Sequence, residues 1–267
     1  MWHKYRQRWQ STKSLVCVGL DPQMHRLPEC VLSADNPIWE FNKAIIDATR
    51  EYACCYKPNL AFYLADGIRG LEALIKTISH IPKEIPVILD CKVGDIGSTM
   101  QGYVAAFFDQ LSVDAITVNP LMGSDVLDPI LDHEVAFAFV LGLTSNPSAK
   151  DFFIDKRMDI AVGEWIDQFP AERVGAVVGA TQTQYMDDMR EMLHQRLILI
   201  PGVGAQGADA DNVVSQTIYS KTEPNILINS SRAIIYASRG EDFAAAAAEA
   251  TKKLRAEILA ALANYPD

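Results

Sequence analysis

The sequence predicts an α/β protein folded as a single-domain (β/α)8 TIM barrel, and three observations predict it. Short apolar or β-branched runs recur eight times along the 267 residues, each followed by a longer stretch with helical patterning. No long linker or composition break divides the chain, and barrels of this type commonly take about 250 residues as one unit. Polar residues collect just after the strand candidates, at the ends where such barrels place their chemistry.

Taken in order, the first unit has a strand at 15–20, ending before Asp21, and a helix near 37–51. The second has a strand at 53–57, closed by Lys57 and Asn59, and a helix near 66–79. The third strand, 86–91, carries Asp90, leads into Lys92 and precedes a helix near 98–110. The fourth, 114–118, ends before Asn119 and is followed by a helix near 122–132. The fifth, 135–141, leads to Thr144 and Ser145 and then to a helix near 157–168. The sixth, 173–178, runs to Thr181 and a helix near 182–192. The seventh, 196–200, opens a glycine loop at 202–207 and a helix near 208–217. The eighth, 225–228, is followed by the polar stretch 229–232 and the closing helix 241–264, whose alanines favour helix and whose apolar positions fit its period. Alternation of this kind implies parallel strands joined by helices. An open doubly wound sheet would satisfy it too, and the count of eight favours closure. At the opposite strand ends, Lys13, Glu51 and Glu172 read as solvated loop charges.

Composition narrows the function. Apolar residues make up 49% of the chain, enough for a full core. The formal net charge of −10 argues against general attraction to nucleic acid or to an anionic membrane. An anionic substrate would therefore need a local cluster of cations. The five cysteines, Cys17, Cys30, Cys54, Cys55 and Cys91, contain no C-x-x-C pair and read as buried, reduced thiols. The charged beginning MWHKYRQRWQ lacks the apolar centre of a signal peptide, and the longest apolar run, 135–143, is too short to span a bilayer. A soluble cytoplasmic protein is expected. The five histidines show no metal-ligand spacing, so no metal is expected, and no G-x-S-x-G elbow is present.

Two constellations carry chemistry. The third unit reads PVILDCKVGDIGST, and strand alternation puts Ile88, Asp90 and Lys92 on one face, with Asp90 and Lys92 pointing together into the barrel mouth. Asp95 lies beyond the strand, on the turn before the next helix. Alone it reads as a helix cap. Together the carboxylate, the ammonium and the second carboxylate form a coupled set with Lys92 as proton donor. The second constellation joins LILIPGVGAQGAD to NSSRAIIYA: glycines that admit a ligand to the backbone, followed by Arg232 at the start of a short helix. Loops after strands seven and eight are where such barrels commonly bind phosphate, and arginine presents the matching planar fork. Gly202, Gly204 and Gly207 also match a dinucleotide pattern, but in the seventh unit rather than opening a Rossmann domain.

At these residues the chain resembles the orotidine 5′-phosphate decarboxylases, which make UMP from OMP in de novo pyrimidine biosynthesis. The resemblance runs from CVGLDP through YKPN, LDCKVGDIGST, VNPLMG, LTSNPS, VVGATQ and PGVGAQG to NSSRAIIYAS, in the order of the longer bacterial branch. It implies that Asp90, Lys92 and Asp95 form a catalytic array. Asp21 and Lys57 would hold the ribose hydroxyls, with Asn119 nearby, and Ser145 would read the pyrimidine amide edge. Gln206 and Arg232 would grip phosphate, with a backbone contact from Ser231, which stands where many relatives have glycine. It further implies a homodimer in which Asp95 and Thr99 reach across to the partner's site, and a decarboxylation without cofactor in which Lys92 protonates C6. Alternatives are a Mg²⁺-dependent keto-gulonate-phosphate decarboxylase or hexulose-phosphate synthase, a non-catalytic nucleotide-binding barrel, and an NAD-dependent oxidoreductase.

Overall fold

The computed structural model describes residues 1–202 and 209–265, apart from the side chain of residue 190. Eight strands form one parallel sheet: β1 (Val16–Leu20), β2 (Cys55–Pro58), β3 (Ile88–Val93), β4 (Ala115–Val118), β5 (Phe137–Leu143), β6 (Val174–Val178), β7 (Ile198–Pro201) and β8 (Ile226–Ser230). Neighbours run in the order β2-β1-β8-β7-β6-β5-β4-β3. The two ends of that order meet through the bridges Tyr56↔Val87 and Asn59↔Asp90, so the sheet curls into a nearly closed barrel. Most strands are buried along their whole length, as expected of parallel strands covered on both faces.

The helices are α1 (Trp2–Thr12), α2 (Glu29–Leu32), α3 (Pro37–Thr49), α4 (Leu60–Leu64), α5 (Gly67–His80), α6 (Gly97–Val104), α7 (Ser124–Asp132), α8 (Met158–Ile166), α9 (Met186–Leu193), α10 (Ala210–Thr217), α11 (Arg232–Ile235) and α12 (Phe243–Asn264). Local chemistry sets several starts. Asn36 accepts a hydrogen bond from the Trp39 N–H at 3.1 Å, and Pro37 occupies the first turn of α3. α12 packs against α3, α10 and α11, closing the outer ring. None of the described helices is long and apolar enough to cross a membrane.

Residues 2–12, assigned no element from the sequence, form a helix. Tyr5 and Trp9 are buried, and Arg8 donates 2.7 Å hydrogen bonds to the carbonyls of Arg50 and Ala53. The Trp9 indole donates to Thr222 and Lys4 pairs with Asp114, so α1 spans the N-terminal end of the barrel and leaves the opposite end for ligands. The helix expected near 98–110 divides into α6 and a π-helical turn over 105–110, and the one near 182–192 begins as a 3₁₀ turn at 180–185. All five cysteines are free, but Cys30 is exposed on α2 and Cys91 only half-buried.

Candidate active site

The site is built where β2 faces β3. Lys57 stands near the C-terminal end of β2, buried to 3% exposure, and its Nζ lies 2.8 Å from Asp90 Oδ2. The other carboxylate oxygen, Oδ1, lies 2.5 Å from Lys92 Nζ. Asn59 Nδ2 is 3.5 Å from Oδ2, and the Thr117 hydroxyl donates to Oδ1 at 2.9 Å. Burial alone would favour the neutral acid of Asp90, but Lys57 and Lys92 outweigh it and hold the carboxyl well below the usual carboxylate range. Burial likewise disfavours the Lys57 ammonium, yet Asp90 and Asp21 raise its pKa above that of an ordinary lysine. Burial pushes the Cys91 thiol up to about 12, so it holds no thiolate at neutral pH.

Asp90 and Lys92 do meet at the mouth, but not through simple strand alternation. Pairing between β3 and β4 jumps from Leu89↔Ile116 to Val93↔Val118, and Lys92 adopts a left-handed φ of 48°. That conformation costs a non-glycine residue roughly 1–2 kcal/mol. The Lys92 side chain is half exposed and reaches back to Asp90. Within one chain and among the described residues, Asp90 thus stands between two ammonium groups, Lys57 and Lys92, and Lys92 does not pair with Asp95 of its own chain. Asp95 turns its Oδ1 to the Ile96 N–H at 2.8 Å, and Thr99 is exposed on the first turn of α6.

Lys57, Asp90, Lys92 and Thr117 line a cavity of about 290 Å³ with Thr144, Ser145 and Asn146 from the loop after β5. Its floor is apolar, made by Leu141, Val177, Leu199 and Pro201. Ser145 comes this close to β6 because residue 179 is glycine: a Cβ there would fall 2.5 Å from the Ser145 Cα. Asp21 follows β1 with its Oδ1 buried and accepting no hydrogen bond among the described residues, which suits it to a ligand's donor. Asn119 caps the turn after β4 through the Leu121 N–H at 3.0 Å. After β7, Gly202 takes a φ of 106°, a conformation suited to glycine, and Gln206 lies outside the described residues. Ser231 precedes α11, and Arg232 is exposed at its first position. Asp21, Asn119, Ser145, Ser231 and Arg232 all lie beyond the C-terminal ends of their strands, on one face of the barrel.

Sequence reasoning missed Thr117 and Asn146 as members of the site, and placed Thr144 at the end of its strand without giving it a role. Thr117 had a signal, a polar residue within the apolar strand AITV, in phase with Asn119.

The family model described as "Orotidine 5'-phosphate decarboxylase / HUMPS family" matches residues 14–250. A protein of Halorubrum lacusprofundi named orotidine 5′-phosphate decarboxylase is 44% identical, covering 94% of this chain and 95% of the relative. One of the same name from Phocaeicola vulgatus is 40% identical, covering 93% and 94%. The solved structure of Leishmania donovani OMP decarboxylase superposes with a TM-score of 0.81 at 33% identity, over 97% of both chains. With the family model spanning most of the barrel, and these relatives aligned nearly end to end, the chain belongs to the orotidine 5′-phosphate decarboxylase / HUMPS family.

Proposed function

We propose that the protein is a carboxy-lyase that converts orotidine 5′-phosphate to UMP and CO₂, with no cofactor. The observation that carries this reading is the carboxylate of Asp90 held between the ammonium groups of Lys57 and Lys92 at the mouth of a 290 Å³ cavity. Both oxygens of Asp90 are already engaged by cations, a donor set suited to moving a proton more than to holding a metal. In the reaction the bond from C6 to the carboxylate breaks and its electron pair stays on C6. Lys92 supplies the proton that C6 then takes up, and its fixed ammonium stabilises the developing carbanion without solvent reorganisation. Asp90, kept ionised, presses on the substrate carboxylate in the ground state.

The remaining residues divide the nucleotide between them. Asp21 and Lys57 take the ribose hydroxyls, with Asn119 beside them, and Ser145 reads the pyrimidine edge. Gln206, Ser231 and Arg232 hold the phosphate, and that remote binding helps set the reacting end in place. The active form is a homodimer in which Asp95 and Thr99 of one subunit complete the site of the other. The exposure of Ile96, Leu121 and Met122 beside these residues supports an interface there. The protein is read as one catalytic domain working in the cytoplasm.

Loss of OMP absorbance in buffer containing EDTA tests the reaction directly; a requirement for Mg²⁺ would transfer the chain to the metal-dependent sugar-phosphate branch. Mixing Lys92→Ala with Asp95→Asn protein tests the shared site. Each variant alone should be inactive, and exchange of subunits should restore turnover by rebuilding one intact site. Continued inactivity of a demonstrated mixed dimer would refute the sharing.

A further inference from the structure

We infer that Thr117 is a positioning residue, whose hydroxyl shapes the Lys92 backbone and orients Asp90; the inference rests on the decarboxylase reading above. Between the pairs Leu89↔Ile116 and Val93↔Val118, residues 90, 91 and 92 of β3 stand opposite Thr117 alone on β4. A regular ladder cannot serve a stretch so unequal, and the Thr117 side chain replaces it. Its Oγ1 accepts the N–H of Cys91 at 3.1 Å and of Lys92 at 2.9 Å, two consecutive amides converging on one oxygen.

A hydroxyl has two acceptor sites and one proton. With both acceptor sites used, the proton has one direction left, and it goes to Asp90 Oδ1 at 2.9 Å. That same Oδ1 receives Lys92 Nζ. One buried oxygen therefore connects the left-handed turn at Lys92, the orientation of Asp90, and the return of the ammonium to that carboxylate. It also demands an acceptor at Asp90 Oδ1, which the ionised carboxylate provides. Valine has the shape of threonine without the hydroxyl and would leave the Cys91 and Lys92 amides without this partner.

Steady-state kinetics on Thr117→Val, Thr117→Ser and Thr117→Ala, beside the wild type, test this. Thr117→Val should lower kcat about 10- to 100-fold, the scale of a small misplacement of reacting groups, while KM for OMP stays within about threefold. Thr117→Ser, which keeps the hydroxyl, should stay within about threefold of wild-type kcat. A valine variant with wild-type kcat would overturn the inference, as would a serine variant as impaired as valine, since the shape of the side chain would then matter and not its hydroxyl. If valine prevents folding, the serine and alanine variants decide it: active serine with impaired alanine supports the inference, and equal activities overturn it. If the wild type leaves OMP unchanged, the decarboxylase reading falls separately. The crystal structure of Thr117→Val then judges the inference, with Lys92 leaving positive φ in support and an unchanged Lys92–Asp90 contact against.

Discussion

Between β5 and β6 the barrel is held by pairing from Ala138↔Val174 to Leu143↔Val178, interrupted only by a register shift at Gly142, with both strands buried throughout. Between β2 and β3, at the other side, two isolated bridges and the Lys57–Asp90 ion pair do the closing. The first wall gains from apolar burial and a hydrogen-bond ladder along most of its length. The second gives up part of both to hold charges out of water. The two walls teach that the barrel's stability and its chemistry come from different strands. The seam is the place where a carboxylate can be gripped by ammonium groups from two strands, because regular pairing does not crowd it.

The comparison breaks most visibly at Lys92. Its replacement by alanine should reduce turnover by more than about 1,000-fold, at the upper range for a lost general acid. Urea unfolding should move by less than about 1 kcal/mol, because the side chain is half exposed and its ion pair partly solvated. A large loss of stability would mean that the seam carries the fold as well as the chemistry. On the apolar wall the expectation reverses. Phe137 is buried against Gly175, and Phe137→Ala should cost about 3–5 kcal/mol in urea unfolding, with kcat retained at temperatures where the variant is folded.

Lys57→Met tests the seam's electrostatics. It should destabilise by about 2–3 kcal/mol at pH 7, less than the removal of a sole partner, because Lys92 and Thr117 still contact Asp90. The pH dependence has a definite sign. The folded-state pKa of Asp90 is depressed, so the stability it contributes is present above its unfolded value of about 4 and is lost as pH falls through the lower folded value. The folded-state pKa of Lys57 is raised, so its contribution is complete below about pH 10.4 and is lost only as pH rises through a still higher value. The gap between wild type and Lys57→Met should therefore be full at pH 7 and narrow below about pH 4. Unfolding curves at pH 7 and pH 3 would show it, and a gap that widens in acid would contradict the pairing. The smallest effect belongs to the barrel floor. Lys4 pairs with Asp114 at 2.7 Å but is partly exposed, so Lys4→Ala should cost no more than about 1 kcal/mol in a thermal melt.

The chain itself determined the eight units, the parallel sheet and the gathering of polar residues on one face. These follow from hydrophobic period and from what comes directly after each apolar run, which are local properties of a sequence. Lys57, Asp90 and Lys92 were legible for that reason. The helix at 2–12 had its signal in the spacing of Trp2, Tyr5 and Trp9, but its charged residues masked it until the carbonyls of Arg50, Ala53 and Thr222 supplied partners.

Tertiary structure decided the order of charges and the turn that produces it. Whether Asp90 lies between two lysines depends on β2 reaching β3 across the closure. Whether Lys92 turns back depends on the irregular pairing with β4 and on one hydroxyl there. No window of sequence contains both sides of either contact, so only the folded chain could settle which charges would meet.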